Sequence, residues 1–137
     1  GWRYEHLLQT IQDLVQRGDC VWVKGATDDD LRCLYQGSSV FMFPSLSEGF
    51  GLPVLEAFAS KVPVITSKGT ALEVVAGDAA YLVDPYSLDE MVSALTEVLL
   101  LDNYSTQSLV QKGVDRTKIF SWDLAAQKIC EIYKSVI

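Results

Sequence analysis

The sequence predicts an α/β fold, with a parallel sheet carrying helices on both faces. Short apolar runs such as "SVFMF" (39–43) and "VPVIT" (62–66) alternate with longer segments of helical periodicity, the signature of βαβ units. Those runs are apolar at successive positions instead of every second one, as strands covered on both sides are. No internal repeat, low-complexity tract or linker interrupts the 137 residues, a length that supports one domain with a single core.

The elements follow in order. Leu7, Leu8, Ile11, Leu14 and Val15 recur at helical spacing and predict a helix over 4–17 that ends at Gly18. "CVWVK" (20–24) reads as a first strand stopped by Gly25. "TDDDLRCLYQG" is a short helix with Thr27 as N-cap, three aspartates at the positive end of its dipole, and Gly37 as terminator. Residues 39–43, 62–66 and 80–83 read as the second, third and fourth strands. Between them lie the helices "LPVLEAFAS" and "TALEVVAG", the latter with a capping box of Thr70 and Glu73. A longer helix opens on the capping box Ser87 and Glu90, and two more complete the chain. The last starts at Ser121 and aligns Trp122, Ala125, Ala126, Ile129, Ile132, Tyr133 and Val136 on one side.

A net charge of -7, with acidic residues spread along the chain, disfavours a nucleic-acid or anionic-membrane surface, both of which need a basic patch. Cys20, Cys33 and Cys130 are odd in number and far apart, and with the single His6 they make no metal-ligand set. They read as reduced thiols of a cytoplasmic protein. No apolar run approaches the roughly 20 residues of a membrane span. The chain opens directly into helical pattern with no leading strand, which suggests a fragment.

The stretch "FPSLSEGFGLPVLEAFASKVPVITS" (43–67) has more than a strand-to-helix connection needs. In open α/β sheets, ligands bind beyond the carboxyl ends of strands, where loops meet helix N-termini. Gly49 and Gly51 bring no side chain between backbone and ligand, and either can take a positive φ. Pro53 suits the first helical position, where its missing donor costs nothing. Free amides and the dipole end together describe an anion or phosphate site. Glu48 and Glu56 flank it, and a carboxylate there suits hydroxyl groups such as a vicinal diol. Phosphate in the middle with sugar on either side is the outline of a nucleotide-sugar. Taken singly, each glutamate also has a structural reading: Glu56 favoured by the helix dipole, Glu48 solvated in a loop. For Glu73 the capping box suffices.

These residues resemble the retaining glycosyltransferases of GT-B fold known as glycosyltransferase group 1. The matching text is "VFMFPSLSEGFGLPVLEAFASKVPVITS", continued by "EVVAGDAAYLVDP" and "FSWDLAA". The family's pair of glutamates separated by seven residues around a GFGLP core is met by Glu48 and Glu56. "GWRYEHL" and "VWVKGATDDDLRCLYQG" match more loosely. The resemblance implies a Rossmann-like, donor-binding C-terminal domain over 1–137 that lacks its first strands, with the N-terminal acceptor domain absent. It implies transfer of a sugar from a nucleoside-diphosphate sugar to an acceptor hydroxyl with retention, as in polysaccharide, lipopolysaccharide or glycolipid biosynthesis. Glu48 would be the catalytic residue and contact the transferred sugar, and the amides of Gly49, Phe50, Gly51 and Leu52 would line sugar and diphosphate. Glu56 would hold the ribose, and Lys24 and Gly25 would lie near the base.

No cofactor or metal is implied, since amides, a dipole and basic side chains stabilise the departing diphosphate. The acceptor would be a sugar, a lipid-linked molecule or a protein, and the full-length protein would be cytoplasmic or peripheral at a membrane. This chain alone would be inactive, because the family's diphosphate-clamping Arg and Lys lie upstream. The alternative is a non-catalytic nucleotide-sugar binding module working with a partner subunit. Two departures stand out: Lys61 occupies the place of a glycine after the motif helix, predicting strain, and Ala71-Leu72-Glu73 lacks a customary proline.

Overall fold

A computed structural model describes residues 5–136, the side chain of His6 excepted. The chain divides into two compact units, Gly1–Leu31 and Arg32–Ile137.

In the first unit, α1 (Glu5–Arg17) occupies the predicted span, the expected start at residue 4 lying outside the described residues. The predicted strand over 20–24 does not form. An apolar run becomes a strand only when a neighbour accepts its ladder hydrogen bonds, and no described segment pairs with it. Val21 is accordingly 86% exposed. The helix α2 (Asp28–Gly37), whose residues from Arg32 onward, Tyr35 among them, belong to the second unit, opens on a reciprocal box. Asp30 N–H donates to Thr27 Oγ1 at 3.2 Å, while Thr27 N–H and O–H donate to the Asp30 carboxylate at 2.9 and 2.7 Å. Those bonds hold the Asp30 carboxyl below its ordinary pKa.

In the second unit, β1 (Phe41–Phe43), β2 (Val64–Ser67) and β3 (Tyr81–Val83) form a parallel sheet in the order β1-β2-β3. Phe41 sits opposite Val64, and Ile65 opposite Tyr81. The helices α3 (Leu52–Ala59) and α4 (Ala71–Ala76) connect successive strands. Crossovers of one hand running in one direction put both on the same face. There Val54, Ala57, Phe58, Leu72, Val75 and Ala76 pack with Val64, joined by Phe41 and Phe43. The opposite face of the sheet carries Ile65 and Val83 under Ala94 and Val98 of α5 (Leu88–Leu99). The period of two along each strand thus feeds two cores, which is why the runs are apolar throughout.

A third helix backs α3. The helix α6 (Asn103–Thr117) buries Gly113, and a Cβ there would lie 2.6 Å from the Phe58 ring, so the two helices approach through the absent side chain. Arg116 donates from Nε to the Val75 carbonyl at 2.8 Å and from Nη2 to the Val74 carbonyl, satisfying acceptors near the end of α4. The last helix, α7 (Trp122–Val136), has no buried residue; its predicted apolar side is exposed, Trp122 at 83% and Val136 at 78%.

Candidate functional site

The loop between β1 and α3 leaves the carboxyl end of its strand as the sequence predicts. Two buried hydroxyls of β2 fix its start: Thr66 Oγ1 donates to the Phe43 carbonyl at 2.9 Å and Ser67 Oγ to the Ser45 carbonyl at 2.6 Å. Neither residue stood out in the sequence. A hydroxyl at the end of an apolar strand gives no pattern, and its partner is more than twenty positions away.

Of the two glycines, only Gly51 takes a positive φ, 113°. It is the N-cap of α3 and makes no side-chain cap, and a Cβ there would lie 2.5 Å from Leu72 Cδ2. Gly51 is therefore required twice, by its dihedral and by the close approach of α4. Pro53 occupies the second helical position, not the first, because Leu52 opens the helix. The consequence is unchanged, since the first-turn amides have no intrahelical acceptor. Among the described residues, none accepts a backbone hydrogen bond from Gly49, Phe50, Gly51 or Leu52. These amides stand unspent at the positive end of the helix.

Glu48 is half-buried just before them, and Glu56 is exposed one turn into α3. One segment of chain thus carries the predicted carboxylates and amides together. Phe50 is held from outside by Phe120, edge to face at 5.6 Å, and the Arg116 guanidinium lies 5.1 Å from that ring. A pocket of about 500 Å³ opens beside Phe50 and is lined by Leu52, Leu55, Phe120, Trp122 and Lys128. It contains neither glutamate. Lys24 and Gly25 belong to the first unit, where the Lys24 ammonium lies 4.0 Å from the centre of the Trp22 ring.

At the far end of α3, Lys61 has φ 63°, the one left-handed residue other than glycine among the described residues. Its N–H donates to the Phe58 carbonyl at 3.0 Å and that of Val62 to the Ala57 carbonyl at 3.1 Å. These are the two bonds of a Schellman turn. The turn that a glycine usually makes is kept, at the strain the sequence predicted.

The neighbouring loop, between β2 and α4, spends its polar groups on its own helix and on the start of α5. Lys68 Nζ donates to both oxygens of Glu90 at 3.0 and 2.9 Å, and the Asp84 amide donates to Glu90 at 2.8 Å. The Asp84 amide first, then Lys68, holds the Glu90 carboxyl below its ordinary pKa, and Glu90 raises that of Lys68. Both capping boxes are thereby altered. Ser87 Oγ accepts from the Glu90 amide as predicted, at 3.2 Å, but the Glu90 carboxylate is turned to Lys68 and Asp84. Thr70 Oγ1 accepts from Leu72 N–H at 3.2 Å, and Glu73 accepts from Gly69 N–H, one residue before the expected partner.

The described residues hold no group of three or more potential metal ligands, and the three cysteines are free. No described helix is long and apolar enough to cross a membrane.

Comparison with known proteins gives the chain its family. The profile of the glycosyl transferases group 1 family matches residues 2–113. The O-antigen chain mannosyltransferase B of Escherichia coli is 33% identical over 134 residues, covering 98% of this chain and 35% of that protein. The MMP alpha-(1->4)-mannosyltransferase of Mycolicibacterium hassiacum is 37% identical over 118 residues, covering 82% of this chain and 28% of its own. Among solved structures, a sucrose-phosphate synthase from Thermosynechococcus elongatus superposes with a TM-score of 0.75 at 28% identity, over 93% of this chain and 34% of that one. The chain spans about a third of the length of these relatives. The chain belongs to the glycosyl transferases group 1 family, and its fold is that of the GT-B enzymes' C-terminal domains.

Proposed function

We propose that residues 1–137 bind the nucleotide-sugar donor in a retaining glycosyltransferase whose acceptor-binding domain lies elsewhere in the parent protein. The observation that carries this reading is the set of unpartnered amides from Gly49 to Leu52, flanked by Glu48 and Glu56. In the proposed complex the amides and the α3 dipole take the diphosphate and stabilise the charge that grows on it as the glycosidic bond breaks. Glu48 accepts hydrogen bonds from hydroxyls of the transferred sugar and Glu56 from the ribose diol. No metal or cofactor enters this scheme. The sugar passes to a hydroxyl of a saccharide, lipid-linked or protein acceptor. Two relatives are named mannosyltransferases, so mannose-bearing donors are the first to try.

Binding by this chain is weak, because amides supply only modest hydrogen bonds to phosphate without a basic clamp, and turnover needs the complete protein. Calorimetric or NMR titration with UDP-, GDP- and ADP-sugars tests the scheme. The expected result is saturable binding of one of them, weakened about tenfold or more by Glu56→Ala. Equal binding by the variant contradicts it.

A second reading, a non-catalytic binding module completed by a partner subunit, draws on the exposed apolar side of α7. It is distinguished by the complete protein: transfer of sugar by that polypeptide alone excludes it.

A further inference from the structure

Glu56 has one side-chain partner among the described residues, and it comes from another helix. Tyr35 of α2 donates its phenolic O–H to Glu56 Oε2 at 3.2 Å, across 21 positions of sequence. The ring behind that hydroxyl is fixed. It meets Phe41 edge to face at 5.1 Å, Phe41 stacks on Phe43 at 5.7 Å, and all three pack against the core beneath α3 and α4. Burial first, and the negative charge of Glu56 second, push the Tyr35 hydroxyl up to about 12, so it remains a donor at any ordinary pH.

A bond to an exposed carboxylate adds little to stability. Its effect falls on Glu56. A glutamate side chain on a helix surface samples several rotamers and loses that freedom when it engages a ligand. Tyr35 removes part of the freedom beforehand, through one lone pair of one oxygen. Oε1 and the second lone pair of Oε2 stay open to a diol. At 3.2 Å the bond is long for a hydroxyl and a carboxylate.

We infer that Tyr35 is a positioning residue that holds the Glu56 carboxylate ready for the two hydroxyls of a ribose. This inference rests on the donor-binding reading above. It predicts that Tyr35 is felt only by ligands that carry those hydroxyls.

The test measures Kd for UDP, GDP and ADP and for their 2′,3′-dideoxy counterparts, on the 137-residue chain and its Tyr35→Phe variant. That substitution keeps the ring and its contacts, which a thermal melt confirms. The expected result is a parent chain that prefers the ribose form. Tyr35→Phe then loses about fivefold toward that form and stays within about twofold toward the dideoxy form. In a Glu56→Gln background the preference is gone and Tyr35→Phe adds nothing. Equal loss on both sugar forms, or none on either, overturns the role of Tyr35 while leaving donor binding intact. A parent chain that does not distinguish the two forms, or binds none of these nucleotides, overturns the assignment of Glu56 and that of Tyr35 with it.

Discussion

Two consecutive loops leave the carboxyl ends of neighbouring strands, one from β1 into α3 and one from β2 into α4. They differ in what they do with their polar groups. In the second, Lys68 is taken by Glu90 of α5, which also accepts from the Asp84 amide beyond β3, and the Gly69 amide is taken by Glu73. In the first, the Gly49–Leu52 amides have no described acceptor, Glu48 carries no bond among the described residues, and Glu56 keeps one oxygen open. On the proposed donor-binding reading, carboxylates beside a helix start are not sufficient for a site, and what sets the first loop apart is polar capacity left unspent and held in place by packing.

The largest effect on this contrast comes from removing that packing. Gly51→Ala forces a Cβ against Leu72 at a φ of 113°. A loss of about 3 kcal/mol in unfolding free energy is expected, visible in a urea titration. The corresponding Gly49→Ala meets nothing within 4 Å and leaves stability close to the parent.

Next comes the satisfied loop. The Glu90 carboxyl titrates below its usual value when folded, so it contributes stability above its unfolded pKa and loses it as pH falls through the folded one. Unfolding followed from neutral to acid pH is expected to show a decline that Glu90→Gln flattens, with nucleotide affinity unchanged by the substitution. A drop in affinity would make this loop part of the site and remove the contrast.

The smallest effect is at the other end of α3. Lys61→Gly relieves a left-handed lysine while keeping the Schellman bonds, and a gain of up to about 1 kcal/mol is expected from thermal melts.

Much of this was legible in the sequence, for reasons that differ by residue. Periodicity located the helices, and three of the four expected strands form, because "VFMF", "VPVIT" and "AAYLVD" have neighbours to pair with. "CVWVK" looked the same and did not, since a pattern shows apolarity but not a partner. The strain at Lys61 followed from the resemblance, which puts a glycine where this chain has lysine. The Tyr35–Glu56 bond, the Thr66 and Ser67 anchors and the redirected Glu90 were not. Each joins residues whose proximity is created by the fold alone, and local spacing carries no trace of it.

The most direct measurement follows the backbone amide signals of the 137-residue chain during titration with UDP-, GDP- and ADP-sugars. The account predicts that Gly49, Phe50, Gly51 and Leu52 shift together and saturably for one of these donors, while Gly69 and Thr70 stay still. Shifts confined to the β2–α4 loop, or none at Gly49–Leu52 with any donor, would contradict it.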